Sequence, residues 1–276
     1  ATMASAGSEE ACTEIRGACG TPRRLGLLLA PRSPAERQQI RAAYRATFGE
    51  DLAMTLHGTL MAMSNQELQL CKLLYLWALE PAERDAVVAR EAVEGGVTVA
   101  GYHALVEVFT RRKQDQLFFT KQAYTARFRR NLDQQQLLLA LAASRRSHHD
   151  DLSQHVAKCD ARRLHDTKNS GAGSVVDVQA LKINGSGEFE ESLRVVVKCI
   201  YNPSKYYFQL LQRSMLSADK RMVTRAILGS DDVGIDEIRS AFKSSYGRNL
   251  ADYIQENLPE SDYRDFLVAV ARGPVA

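Results

Sequence analysis

The chain has 276 residues, 45% of them apolar and 25% charged, with a formal net charge of +3. Those are the proportions of an ordinary globular protein, with length enough for one large core or several smaller ones. So small a net charge gives no ground for a nucleic-acid partner, and no apolar run approaches the roughly 20 residues that cross a bilayer.

The first segment, ATMASAGSEEACTEIRG, is polar and acidic and lacks the apolar stretch of a signal peptide. A helix is expected over 34–47, with Ser33 as its cap and Pro34 at its first position. Glu67–Trp77 (ELQLCKLLYLW) reads as an apolar helix. Glu80-Pro81-Ala82-Glu83 opens another that runs through Val93 and ends at Gly95-Gly96. Two more helices follow at 100–111 and 114–128, then an apolar one at Gln135–Ala143 (QQLLLALAA). Residues 167–187 carry four glycines and three serines in small clusters and read as the weakest-ordered stretch. Glu188–Cys199 and Asp262–Val270 are two further apolar helices, and 203–272 holds about five helices in all. Strand signals are almost absent, so the fold class is all-α.

One pattern recurs. It reads AERQQIRAAYRATFGEDL at 35–52, QLFFTKQAYTARFRRNL at 116–132 and GIDEIRSAFKSSYGRNL at 234–250. Each copy spaces two aromatics and a leucine four residues apart: Tyr44/Phe48/Leu52, Tyr124/Phe128/Leu132 and Phe242/Tyr246/Leu250. That is one helical stripe followed by the start of another helix, a supersecondary unit repeated along the chain. Tyr44 and Tyr124 lie 80 residues apart, Tyr124 and Phe242 118. The second interval is too long for one period and too short for two. The four apolar closing helices, at 67–77, 135–143, 188–199 and 262–270, count four units. The third has lost about thirty to forty residues on this count.

The unit resembles the annexin repeat. LLAPRSPAERQQIRAAYRATFGEDL resembles the second and third helices of an annexin first repeat. LYLWALEPAERDAVVAREAV resembles plant annexins in particular, VVVKCIYNPSKYYFQLLQRSM the junction of the third and fourth repeats, and DYRDFLVAVA the closing helix. The resemblance runs over nearly all of the chain after residue 14. It implies an all-α, annexin-like array of four repeats of about five helices each, with the third truncated. The segments are a tail at 1–14, repeats at 15–80 and 81–150, a partial repeat at 151–202 and a last repeat at 203–276. It also implies peripheral binding to acidic phospholipid membranes from the cytoplasm, a stress-response setting, and homo- or hetero-oligomers with other annexins.

In that family calcium sits on a G-x-G-T loop between the first two helices of a repeat, completed by a bidentate acid about forty residues on. Calcium needs 6–8 oxygens. Here the first loop is Gly17-Ala18-Cys19-Gly20-Thr21-Pro22, and the acid position falls at Thr59, with Glu67 eight residues beyond. Gly17, Gly20 and Glu67 are thus a weak remnant of a first-repeat site. The second repeat pairs no loop glycine with an acid. In the third, Gly171-Ala172-Gly173-Ser174 meets Asn184. In the fourth, Ser217-Ala218 replaces Gly-Thr, and the acid position falls near Asn257, one residue from Glu256. The expectation is calcium binding that is weak or lost, with no other cofactor.

The charge is uneven. Arg111, Arg112, Lys113, Lys121, Arg127, Arg129 and Arg130 crowd one segment. They form either a solvated helix face or a patch for anionic phospholipid headgroups. The missing block in the third repeat is expected to bare apolar surface around Val195, Val197 and Ile200, the mark of an interface or an aggregation liability, covered in part by the 167–187 segment or by a second molecule.

Cys12, Cys19, Cys71, Cys159 and Cys199 form no CxxC pair and fit a reduced cytosolic protein. His148-His149-Asp150-Asp151 looks metal-like, but adjacent helical residues point in different directions, so a surface helix start is the better reading. No G-x-x-x-x-G-K-[ST] loop is present. Plant annexins have been linked to peroxidase-like activity around a first-repeat histidine, but Pro31 stands there. A redox cysteine pair would need Cys199 and the position of Phe109. Cys199 reads instead as a buried core thiol. An enzyme is therefore not expected. The alternatives are ordinary calcium-dependent phospholipid binding, a peroxidase- or nucleotidase-like enzyme, and a truncated partner of full-length annexins.

Overall fold

Capping chemistry sets where the helices begin. The Ser33 hydroxyl accepts from the Glu36 backbone N–H, and the Glu36 carboxylate accepts in return from the Ser33 N–H at 2.8 Å, a complete capping box. Asn202, Asp219 and Ser261 cap three later helices through their side-chain oxygens. The computed structural model describes residues 2–62, 68–95, 99–133 and 188–273. The predicted helix at 135–143, the stretch at 167–187, Gly171–Ser174, Asn184, Glu67 and the His148–Asp151 cluster lie outside those residues.

Within the described residues there are fourteen α-helices and no strand. The first five are α1 (Thr2–Ala18), α2 (Pro22–Leu29), α3 (Pro34–Phe48), α4 (Leu52–Ala62) and α5 (Leu68–Ala78). Three follow: α6 (Pro81–Glu94), α7 (Val99–Arg111) and α8 (Gln114–Phe128). Then come α9 (Glu188–Tyr201) and a last group of five: α10 (Pro203–Leu216), α11 (Lys220–Val233), α12 (Ile235–Tyr246), α13 (Leu250–Asn257) and α14 (Asp262–Arg272). The first and last groups are built alike. The opening helix packs on the third, and the fourth on the fifth, in both.

The recurring stripe does the same job in each copy. Tyr44, Tyr124 and Phe242 are fully buried, as are Leu52, Leu132 and Leu250. Each such side chain contributes about 1.5–3 kcal/mol of burial. The second aromatic packs against the first, at 4.8 Å for Tyr44–Phe48, 5.0 Å for Tyr124–Phe128 and 4.9 Å for Phe242–Tyr246. The group's opening helix then reaches over it. The Arg16 guanidinium sits 5.0 Å from the Phe48 ring and Arg90 5.4 Å from Phe128, while Tyr246 donates its hydroxyl proton to Gln212 at 2.6 Å. A left-handed residue ends each striped helix: Gly49 at φ 69°, Arg129 at φ 56° and Gly247 at φ 66°.

Two hydrophobic cores result. The larger runs through the first and last groups and α9; the smaller joins α6, α7 and α8 around Tyr124 and Leu132. The first and last groups meet at Trp77, whose ring lies edge-on to Phe266 at 5.5 Å and whose Nε1 donates to the Leu29 carbonyl at 3.2 Å. Val195 and Val197 correct an expectation. Both are buried, because α9 lies against α7 and α10, and of that trio Ile200 alone is exposed.

Arg129 occupies a conformation that costs a residue with a Cβ about 1–2 kcal/mol, where its two counterparts are glycine. Arg129→Gly is expected to raise stability by roughly 1 kcal/mol, read as a higher urea midpoint at unchanged slope.

Candidate functional site

Between the two cores lies a seam of buried charge. Asp232, near the end of α11, is its centre. It pairs with Arg84 of α6, with Arg111 Nη2 at 3.2 Å and with Arg112 Nη2 at 2.8 Å. Asp231 pairs with Arg37 of α3 and with Arg84 Nη1 at 3.4 Å. Asp85 of α6 takes Arg112 through both oxygens, with Nη2 at 3.0 Å. Arg111 also donates to the Tyr207 hydroxyl at 2.8 Å, and the Arg37 guanidinium sits over the Trp77 ring, 4.1 Å from its centroid. At one end, Glu107 of α7 accepts from the Tyr206 hydroxyl and pairs with Arg225 at 3.3 Å. At the other, Arg41 holds Asp51 and Glu83.

Burial acts to raise the Asp232 carboxyl, but Arg84, Arg112 and Arg111 together outweigh it and hold the group below its usual range. Glu107 goes the other way: burial dominates and raises it, against Arg225, the Tyr206 hydroxyl and Arg111. The Cys199 thiol is pushed up to about 12, first by burial and then by the charge of Glu107.

The seam divides the seven basic residues expected to meet lipid. Arg111 and Arg112 point inward and are spent on Asp85, Asp232 and Tyr207. As lipid-facing residues they are corrected: a guanidinium about one-tenth exposed and already paired cannot also hold a headgroup. Arg127 donates to the Tyr75 hydroxyl and belongs to the packing of α8 on α5. Lys121 reaches Asp133 at 2.8 Å on the surface. Lys113, Arg129 and Arg130 are exposed, without an ion-pair partner among the described residues. Phe118 and Phe119 of α8 are also exposed, at 58% and 56%. They border a groove of about 1230 Å³ walled by α3, the start of α6 and α8.

No family model matches the chain. Curated proteins do. Annexin Gh1 of Gossypium hirsutum is 28% identical over 306 residues, covering 95% of this chain and 94% of its own. Annexin A4 of Canis lupus familiaris is 27% identical over 287 residues, covering 89% and 87%. Among solved structures, annexin III superposes with a TM-score of 0.69 at 23% identity, over 97% of this chain and 94% of its own. This chain is similar to annexins along nearly its whole length. A calcium-bound structure of annexin (Sm)1 shares the fold at a TM-score of 0.67 and 16% identity, covering 98% of this chain and 91% of its own.

On the annexin fold the glycine-loop positions lie at turns between helices. Gly17 is in the last turn of α1, and both Gly17 and Gly20 are exposed. The Ala18 carbonyl between them accepts from the Thr21 N–H at 2.8 Å. In the last group, Ala218 takes a left-handed φ of 53°, and the Asp219 carboxylate caps α11 through the N–H groups of Arg221 and Met222. Glu256 pairs with Arg248, and the Asn257 amide donates to the Tyr253 carbonyl at 2.9 Å. Among the described residues, no three His, Cys, Asp or Glu side chains gather where they could hold a metal ion.

Sequence reading missed the seam. Its signal is Ser230-Asp231-Asp232, polar residues that continue the apolar face of α11, together with Arg37 and Arg41 sharing a buried face with Ile40 and Tyr44.

Removing the Asp232 charge leaves three guanidiniums short of a partner. Asp232→Asn is expected to cost about 3–5 kcal/mol in chemical unfolding. Because the folded value of Asp232 lies below the unfolded one, its contribution is fully present above pH about 4 and is lost as pH falls through the folded value. The Asn variant should show a shallower loss of stability over that acid range. Cys199 should resist thiol reagents at pH 8 until the protein unfolds, read by mass spectrometry of labelled peptides; labelling of the folded protein at wild-type stability would refute the assigned burial.

Proposed function

We propose that this chain binds acidic phospholipid membranes peripherally, from the cytoplasm, with calcium dependence that is weak or lost. No described helix is long and apolar enough to cross a bilayer. The observation that carries the reading is α8, which exposes Phe118 and Phe119 and ends in exposed cations, Lys113 at its N-cap and Arg129 and Arg130 at and beyond its C-cap. Cationic side chains beside exposed aromatics are what an interfacial helix uses on an anionic surface. Each such cation contributes about 1 kcal/mol near a charged leaflet.

The calcium half of the reading rests on donor chemistry. Calcium-bound structures exist for the same fold. Here the acid positions fall on Thr59 and Asn257, and both side chains are turned to backbone carbonyls, Thr55 and Tyr253 respectively. A neutral oxygen cannot replace a bidentate carboxylate without a large loss of affinity. Gly17, Gly20 and Glu67 remain the first-repeat remnant. The chain is further proposed to divide into repeats at 15–80, 81–150, 151–202 and 203–276, the third partial. The matched build of α1–α5 and α10–α14 supports that division.

Co-sedimentation with phosphatidylserine vesicles tests the function. Pelleting is expected without calcium and should fall as salt rises. The triple variant Lys113→Gln, Arg129→Gln, Arg130→Gln should weaken it on the order of a hundredfold. Pelleting that strictly requires calcium restores ordinary annexin behaviour, and none under either condition points to a protein partner.

A further inference from the structure

Two dipeptides in the chain place a hydroxyl residue directly before proline, Thr21-Pro22 and Ser33-Pro34. Thr21 precedes α2 and Ser33 precedes α3. The fold separates them. Pro22 is buried and lines a small cavity with Leu25, Leu56 and Leu74. Ser33, Pro34 and Ala35 are all exposed, and Ser33 holds an extended backbone in the turn between α2 and α3. An enzyme that selects a hydroxyl by the residue after it must reach that residue. A proline is read by its ring and by its missing N–H, and of the two only Pro34 presents its ring to solvent.

The surroundings of Ser33 suit a doubly charged group. Its hydroxyl donates to Glu36 Oε2 at 2.8 Å and accepts from the Glu36 N–H at 3.3 Å. The Arg32 guanidinium approaches the other oxygen of the same carboxylate, Nη1 to Oε1 at 3.8 Å. Arg32 Nε has no hydrogen-bond partner among the described residues. One carboxylate thus has the serine oxygen on one side and a loosely held guanidinium on the other. Arg37, the next cation along, is committed to Asp231 and to the Arg32 carbonyl at 2.7 Å. The first turn of α3 adds the positive end of the helix dipole, which favours an anion.

We propose that Ser33 is a phosphorylation site for a proline-directed serine/threonine kinase, and that its phosphate takes the Arg32 guanidinium from Glu36. In the transfer the Ser33 Oγ attacks the γ-phosphorus of ATP. The Oγ–P bond forms, the bond from that phosphorus to the β–γ bridging oxygen breaks, ADP leaves, and the hydroxyl proton passes to the kinase's base. The product carries about −1.5 to −2 charges at pH 7. Glu36 then loses the hydroxyl proton it accepted and faces a second anion. The carboxylate is driven off, while the phosphate caps α3 and pairs with Arg32. The site stands apart from the proposed membrane contact, which lies on α8.

The test uses the folded full-length chain with ATP and two purified proline-directed enzymes, a mitogen-activated and a cyclin-dependent kinase. Peptide mass spectrometry should place one phosphoryl group on Ser33 and none on Thr21. Pro34→Ala keeps the serine cap and puts a good helix former at the first position, and it should lose the modification. Phosphorus NMR then reads the hand-over. The phosphate on the wild-type chain should titrate at a lower pH than that on Arg32→Gln, because a guanidinium favours the doubly charged form. A chain that takes no phosphate at Ser33 from either kinase, takes it equally on Thr21, or keeps it in Pro34→Ala overturns the site. Equal titration in the wild type and Arg32→Gln overturns the assigned partner.

Discussion

One carboxylate is shared by three guanidiniums, and the rest of the arrangement depends on it. Asp232 draws Arg84 from α6, Arg111 from the end of α7 and Arg112 from the turn before α8 to one point. The two hydrophobic cores do not merge there. Apolar packing is non-directional, so within each core it brings helices together without choosing a register between the two. The charged seam makes that choice. If α11 slid by one helical turn, Asp231 and Asp232 would leave Arg37, Arg84 and Arg111 without their carboxylates in a dry interior, and Arg112 with Asp85 alone.

Such a seam adds less net stability than its contact list suggests. Desolvating the partners offsets most of the Coulomb attraction, and a well-packed apolar replacement can be as stable. What the seam contributes is position, and the surrounding packing is built to match. Gly229 lies one turn before Asp232, and a Cβ there would stand 2.0 Å from the Tyr207 ring. The absent side chain lets α10 approach α11 closely enough for Tyr207 to receive the Arg111 hydrogen bond. The glycine, the tyrosine and the arginine therefore act as one joint, and a change at any of them reaches Asp232.

The fold was legible because its signals are local. Ser33-Pro34-Ala35-Glu36 spells a capping box in four consecutive residues, and the aromatic-aromatic-leucine stripe repeats at a spacing that only a helix places on one face. The buried Trp77 and Cys199 were likewise readable from the apolar runs that hold them. The seam was not, because its partners lie far apart in sequence: Arg37 meets a carboxylate nearly two hundred positions later. A lone arginine among polar neighbours looks the same whether it faces water or Asp231. For the same reason Val195 and Val197 read as uncovered. What covers them is α7, whose approach to α9 nothing local announces.

The basic run at 111–130 shows how far a count of charges can mislead about a surface. Its first two members face the interior, while Lys113, Arg129 and Arg130 face out and Arg127 packs on Tyr75, and the first change happens at a helix start. Arg111 ends α7, Arg112 bridges to Asp85, and Lys113 takes the N-cap of α8 with its side chain exposed. From there the helical period of 3.6 residues keeps Thr120 and Tyr124 in the core and leaves Phe118, Phe119 and Gln122 outside. The segment thus joins two tasks that electrostatics treats in opposite ways. Inside, each positive charge must find a carboxylate, and Asp85, Asp231 and Asp232 supply them. Outside, charges without a partner carry no such penalty, since water solvates them, and they remain available to an anionic surface. A substitution that reverses charge at Arg111 or Arg112 will therefore act on stability, whereas Lys113, Arg129 and Arg130 are where the proposed membrane contact is tested without breaking a buried ion pair.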